Sequence, residues 1–149
     1  MDKYDSREDT LEHKLNVGKL INIIMRLLLE RKENHDASKL NSPEKAIFDE
    51  YTPKLAATTY GSDEYKTYLN EMQAALKHHY TNNRHHPEHF ENGIQGMTLI
   101  DLCEMLADWK AATLRHNDGD ILKSIEINQK RFGYSDEIKN ILLNTVKLF

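Results

Sequence analysis

Histidine and aspartate stand side by side at His35-Asp36, at the head of the run His35-Asp36-Ala37-Ser38-Lys39. Neutral imidazole nitrogens and ionised carboxylate oxygens are ligands that a divalent transition metal takes, and they have to converge from several elements. Three other features fit such a centre: His13 upstream, the histidine-rich run from His78 to His89, and Asp108. The chain has 8 histidines, and six of them are His35 or fall among residues 78–89, a clustering that an even scatter would not give. His13, His35, Asp36 and Asp108 make a two-histidine, two-aspartate set, and His79, His85 and His86 would complete a second sphere. The expected cofactor is one or two divalent ions (Mn, Fe, Co or Zn). Two ions close together would activate a water and hold phosphoryl oxygens.

The elements that must position these residues read as helices. Residues 10–32 carry Val17, Leu20, Ile21, Ile24, Leu27 and Leu28 at helical spacing, an apolar stripe expected to be buried, with His13 projecting from it. Asn34 is a candidate N-cap that would place His35 and Asp36 in a first helical turn. Ser42 and Pro43 open another helix, expected to fade near Pro53. A helix from Gly61-Ser62-Asp63-Glu64 to His79 has the stripe Tyr65, Tyr68, Leu69, Met72, Leu76 and His79; His78 lies off that line. Residues 80–97, with Asn82, Asn83, Pro87, Gly93 and Gly96, form a loop with at most a helical turn. Thr98 to Asp101 is built like a capping box ahead of a helix over 99–116, where Asp101, Glu104 and Asp108 run along one edge of the apolar line. A turn at 117–120 precedes a helix over 120–132 ended by Gly133, and Ser135 caps the last helix. With no strand alternation, repeat or linker, residues 1–149 read as one all-α bundle.

Composition narrows the field. The 149 residues are 39% hydrophobic and 30% charged, the profile of a globular domain. A net charge of -4 gives no basis for binding a nucleic-acid polymer. The single cysteine, Cys103, permits no internal disulfide and is expected to be a small core residue in a reducing compartment. No leader and no membrane span is expected, so the cytoplasm is the default location.

With those residues in place, the chain resembles the HD-domain superfamily of metal-dependent phosphohydrolases. That family orders its ligands as a histidine, a histidine–aspartate pair, further histidines and a late aspartate; the counterparts here are His13, His35-Asp36, the histidine run and Asp108. His35-Asp36-Ala37-Ser38-Lys39 followed by Pro43 looks like the HDxGK…P stretch of HD-GYP-type phosphodiesterases. His85-His86-Pro87-Glu88, Gly93, Gly96 and Ala107-Asp108-Trp109-Lys110-Ala111 look like their HHE…G…G…ADxxxA stretch. The GYP tripeptide itself is absent, so no cyclic-dinucleotide specificity is carried over. The short gap from His79 to His85 leaves open whether His78 or His79 is the ligand. The chain also looks like a family of small bacterial and phage proteins with HDxSK and NxHHPEH motifs, which brings no activity with it.

The resemblance implies an HD-domain-like fold and hydrolysis of a phosphate ester, with a nucleoside monophosphate or small cyclic nucleotide as the expected substrate. Lys39 matches the family's lysine near metals and phosphate, and Asp36, the aspartate of the histidine–aspartate pair, is expected to serve both as metal ligand and in catalysis. Glu88 or Glu104 would orient the water or protonate the leaving group, and Asn83 and Arg84 would hold phosphate or sugar. His89 and His116 are expected at the surface or behind the ligands. Proteins of this kind often pair, so a homodimer is compatible, although no stripe reads as left over for a partner. The alternatives are a di-iron oxygenase of the same fold and a binding module that uses metal only to hold its helices.

Overall fold

The computed structural model describes residues 4–59, 62–115 and 119–149, in which there are seven α-helices and no strand. The expected all-α class is therefore the observed one. Helix α1 (Arg7–Asn34) is a single continuous rod of 28 residues, about 42 Å long at the α-helical rise. Glu8 and Asp9 in its first turn and Arg31 and Lys32 in its last complement the helix dipole. Asn34 closes this helix rather than opening another: its amide donates back to the Glu30 carbonyl. The chain turns at Asp36, whose φ of 55 lies in the left-handed region that aspartate tolerates better than most residues. A 3₁₀ turn, Ala37–Leu40, follows.

Helix α2 (Glu44–Ala57) begins after Pro43, which is itself the cap residue in place of Ser42. It does not fade at Pro53 but runs through it to Ala57. The stretch expected as one helix is two, α3 (Asp63–Glu71) and α4 (Gln73–Asn82), meeting at Met72, whose backbone stays helical. Ser62 caps α3 by accepting from the Tyr65 N–H, while Gly61 lies outside the described residues. Two 3₁₀ turns, Pro87–His89 and Gly93–Gly96, punctuate the loop. Helix α5 (Leu99–Thr113) opens on the expected capping box between Thr98 and Asp101. Helix α6 (Ile121–Phe132) is capped by Asp120 and stopped by Gly133 in the left-handed region, and Ser135 caps α7 (Asp136–Thr145).

The main hydrophobic cluster lies in the second half of the chain, with Met72 and Ala75 at the start of α4 buried apart from it. Met105 and Leu106 of α5, Ile121 and Ile125 of α6, Tyr134, Leu142 of α7 and Val146 form one buried cluster, with Trp109, Phe132 and Ile138 against it. Cys103 is exposed on the opposite side of α5 and is no part of this core. The α1 stripe is not buried either: Val17, Leu20, Ile21 and Ile24 are exposed, and only Leu27 and Leu28, where the helix reaches α5, are partly covered. Amphipathic spacing was a sound guide to helix, but it does not say that the cover belongs to the same chain. Among the described residues no helix is long and apolar enough to cross a membrane.

Candidate metal centre

Four segments meet between the end of α1 and the flank of α5 that faces away from the core. The left-handed turn after α1 presents His35 and Asp36, the last turns of α4 present His79, the following loop His85 and His86, and α5 Asp108. Asp36, His79, His85 and His86 each offer one ligand atom, all within 4.8 Å of one another; His35, His85 and Asp108 form an adjoining group of three. Nε2 of His79 lies 2.9 Å from Nε2 of His86, and Asp36 Oδ1 lies 3.4 Å from Nε2 of both His79 and His85. Metal–nitrogen bonds of about 2.0–2.1 Å place neighbouring ligands roughly 2.9–3.4 Å apart, so these separations suit one shared cation. Nε2 of His35 stands 3.6 Å from Asp108 Oδ1 and 3.7 Å from Asp36 Oδ2. The Asp36 carboxylate thus has one oxygen toward each group.

Asp36 Oδ1 and both ring nitrogens of His85 are buried with no hydrogen-bond partner. His85 Nδ1 is 3.1 Å from Glu104 Oε1 but out of line for a hydrogen bond. Buried polar atoms are ordinarily paired, and leaving them unpaired costs about 1–3 kcal/mol each. The donor set, the separations and the orphaned atoms therefore fit a divalent cation.

Protonation states match. Burial, then the charge of Lys39, lowers the His79 pKa, and burial with neighbouring His85 and His79 takes His86 down to about 3. Both are neutral near pH 7. Burial by itself would raise Asp36 and Asp108, but Lys39, His35 and His79 around the first and His35, His85 and His86 around the second together outweigh it, so both carboxyls titrate below their usual range. His35 is the exception: Asp108 and then Glu104 raise it to about 10, so without a cation it carries a proton.

Two glutamates aim the rings. Glu44, fully buried at the start of α2, accepts from His78 Nδ1 at 2.7 Å and from His79 Nδ1 at 2.9 Å. A proton held on Nδ1 leaves Nε2 of His79 free to ligate. Glu104 does the same for His35, accepting from its Nδ1 at 2.9 Å. Glu104 is itself held by Arg31 at 3.0 Å, and Arg31 also donates to Asp101 at 2.8 Å. Asp101 is fully buried and takes Arg84 (3.1 Å to each oxygen) and the Thr98 N–H and hydroxyl as well, so it ties α1, the histidine loop and α5 together. Lys39 answers to local geometry: in a 3₁₀ turn residues three apart eclipse, and Lys39 Nζ sits 2.6 Å from Asp36 Oδ2.

Other expected site residues lie elsewhere. His13 is exposed on α1, 22 residues before His35 on one straight helix, so about 33 Å separates them along the axis and His13 does not join its own chain's cluster. Glu88 forms an ion pair with Arg131 at 2.7 Å and is in neither ligand group. Asn83 is buried, donating to Ser38 Oγ (2.7 Å) and the His79 carbonyl (2.8 Å), and Arg84 is taken up by Asp101; both brace the site. His79, on the buried line, joins the cluster, whereas His78 bonds Glu44 and Asn82 and stays outside it. His89 donates to the Tyr80 carbonyl, and His116 lies outside the described residues.

An all-helical scaffold holding four histidines and two aspartates in one half-buried cluster defines the class of protein to which this site belongs. The chain is a member of the family described as "Family of unknown function (DUF5662)", whose model matches residues 2–148. No curated protein and no solved structure matches it.

Proposed function

We propose that this protein is a metal-dependent phosphohydrolase acting on a small phosphate ester, a nucleotide by preference, in the cytoplasm. The observation that carries the reading is the set of orphaned buried ligand atoms, Asp36 Oδ1 and both nitrogens of His85, beside a lysine at 2.6 Å from the same carboxylate. A bound divalent ion supplies Lewis acidity and a water of lowered pKa. The chain supplies the rest. Asp36 Oδ1 and Nε2 of His79, His85 and His86 would hold the ion, and His35 and Asp108 a second. Lys39, partly exposed, offers its ammonium to a phosphoryl oxygen and offsets charge as it develops. Glu44 and Glu104 keep the imidazoles from turning. A polar cleft of about 300 Å³ borders the site through Asn83 and Glu104 and presents Asn34 and Asn82, donors and acceptors suited to a sugar or base. The choice of a nucleotide follows the HD-domain resemblance.

The test is elemental analysis of the purified protein before and after reloading with Mn, Fe, Co or Zn, paired with a phosphate-release screen over nucleoside monophosphates and cyclic nucleotides. Stoichiometric metal with release from a subset of nucleotides is expected. A protein that takes up no metal even on reloading would end the proposal.

A further inference from the structure

Helix α1 has no fully buried residue along its 28 positions, and Leu11, Leu15, Leu20, Ile21, Ile24 and Met25 are each about half exposed or more. The accessible surface of the chain is 11123 Å², against about 7,900 Å² expected for a compact monomer of its mass. The surplus, roughly 3,200 Å², exceeds the ~800 Å² per partner that a standard protein interface removes. Three features on the same helix name the missing cover. The inward stripe is symmetric in position about Ile24: Val17 is matched by Arg31, Leu20 by Leu28, Ile21 by Leu27 and His13 by His35. A two-fold axis at Ile24 therefore lays that stripe on itself with leucine and isoleucine meeting leucine. Charge agrees with an antiparallel arrangement: a parallel pair would bring Glu8, Asp9 and Glu12 of the two copies side by side, whereas a dyad at Ile24 sets the two acidic ends apart. Finally, an apolar cleft of about 360 Å³ between α1 and α5 is lined by Leu28, Cys103, Ala107 and Ala111 together with His35 and Asp108 of the metal centre, and the small Cys103, Ala107 and Ala111 leave room for a helix.

We infer that two copies of this chain pair antiparallel along α1, with the dyad at Ile24, each N-terminal half lying in the other's α1–α5 cleft. This brings His13 level with His35 of the second copy, so the histidine stranded in its own chain borders the other's site. The inference goes beyond the proposed chemistry and does not depend on it.

Sedimentation analysis of the full chain, with and without chelator, is expected to give twice the 17.4 kDa chain mass. Ile24→Glu is expected to give the monomer with Trp109 fluorescence unchanged, because Trp109 sits in the core of α5 to α7. In a Cys103→Ser background, Ile24→Cys is expected to oxidise to a covalent dimer, since only a residue at the dyad of an antiparallel pair meets itself. In the natural background His13→Cys is expected to crosslink to Cys103 of the other copy, which its own chain's geometry puts out of reach. A monomeric mass, a dimer that survives Ile24→Glu, or an Ile24→Cys dimer that does not crosslink would each overturn the inference.

Discussion

The sharpest consequence of the site concerns Glu44, which lies outside any expected ligand set. Both of its oxygens are used, one by His78 and one by His79, and no solvent reaches it. Glu44→Gln keeps the shape but offers one acceptor and an NH₂ group that opposes an imidazole N–H. Either the bond to His79 drops from charge-assisted to neutral strength, a loss of about 1–1.5 kcal/mol, or His79 moves its proton to Nε2 and leaves the ligand set. Glu44→Ala removes both bonds. Loss of such an orienting partner lowers metal affinity about 10–100-fold, or roughly 1.4–2.7 kcal/mol. The expectation is a dissociation constant for Mn or Zn raised about tenfold in Glu44→Gln and about a hundredfold in Glu44→Ala, by calorimetric titration. There is a pH signature too. Burial opposes ionisation of Glu44, but hydrogen bonds from His78, Ser38 and His79 together hold its pKa below the usual carboxylate range. A depressed folded-state pKa contributes stability above the unfolded value, near 4.5, that is lost as pH falls through the folded one. The acid limb of unfolding should accordingly flatten in Glu44→Gln. Metal affinity within about twofold of the natural protein in both variants, with stability alone reduced, would refute the orienting role.

Further outcomes follow from the same geometry. Because His79 and His86 are already neutral while His35 holds a proton to about pH 10, filling the Asp36–His79–His85–His86 group should release little proton, and engaging His35 about one per ion; titrations in buffers of different ionisation enthalpy read this directly. In the metal-free protein the raised His35 pKa contributes stability fully below about pH 6.5 and loses it as pH climbs through about 10, a decline visible in urea midpoints. Asp101→Ala strands two arginines and a helix cap, and should cost about 3–5 kcal/mol in urea unfolding. Lys39→Ala should leave metal stoichiometry intact while phosphate release falls about a hundredfold or more; release at the natural rate would remove Lys39 from the chemistry.

What the sequence discloses here is local. Asp120, Gly133 and Ser135 sit where caps and stops belong and mark α6 and α7 closely, and the Thr98–Asp101 box forms as its spacing implies. Pro53 misleads because a helix tolerates a proline in context, and Met72 because nothing in its residue type marks the division between α3 and α4. Residue type and clustering were enough to single out His35, Asp36, His79, His85, His86 and Asp108, which the fold brings together. Glu44 and Arg31 carried no such mark: their partners lie 35 and 70 residues away, and nothing local distinguishes them from solvated charges. The edge formed by Asp101 and Glu104 has the spacing of an ordinary polar face, and Arg31 and Arg84, both distant in sequence from it, are what cover it. His13 is different, since the helix rise alone separates it from His35 once residues 10–32 are read as one helix.

The division of the interior has a thermodynamic consequence. The main apolar cluster belongs to residues 94–146, and apart from buried Met72 and Ala75 the elements before it are fastened chiefly through Glu44, the histidines, Asp36 and the Arg31–Asp101–Glu104 link. An ion bound among those ligands would therefore take the place of a hydrophobic core for those elements. Its removal should split unfolding into two calorimetric transitions, with α1 to α4 melting first and α5 to α7 persisting, and saturating metal should merge them into one cooperative event.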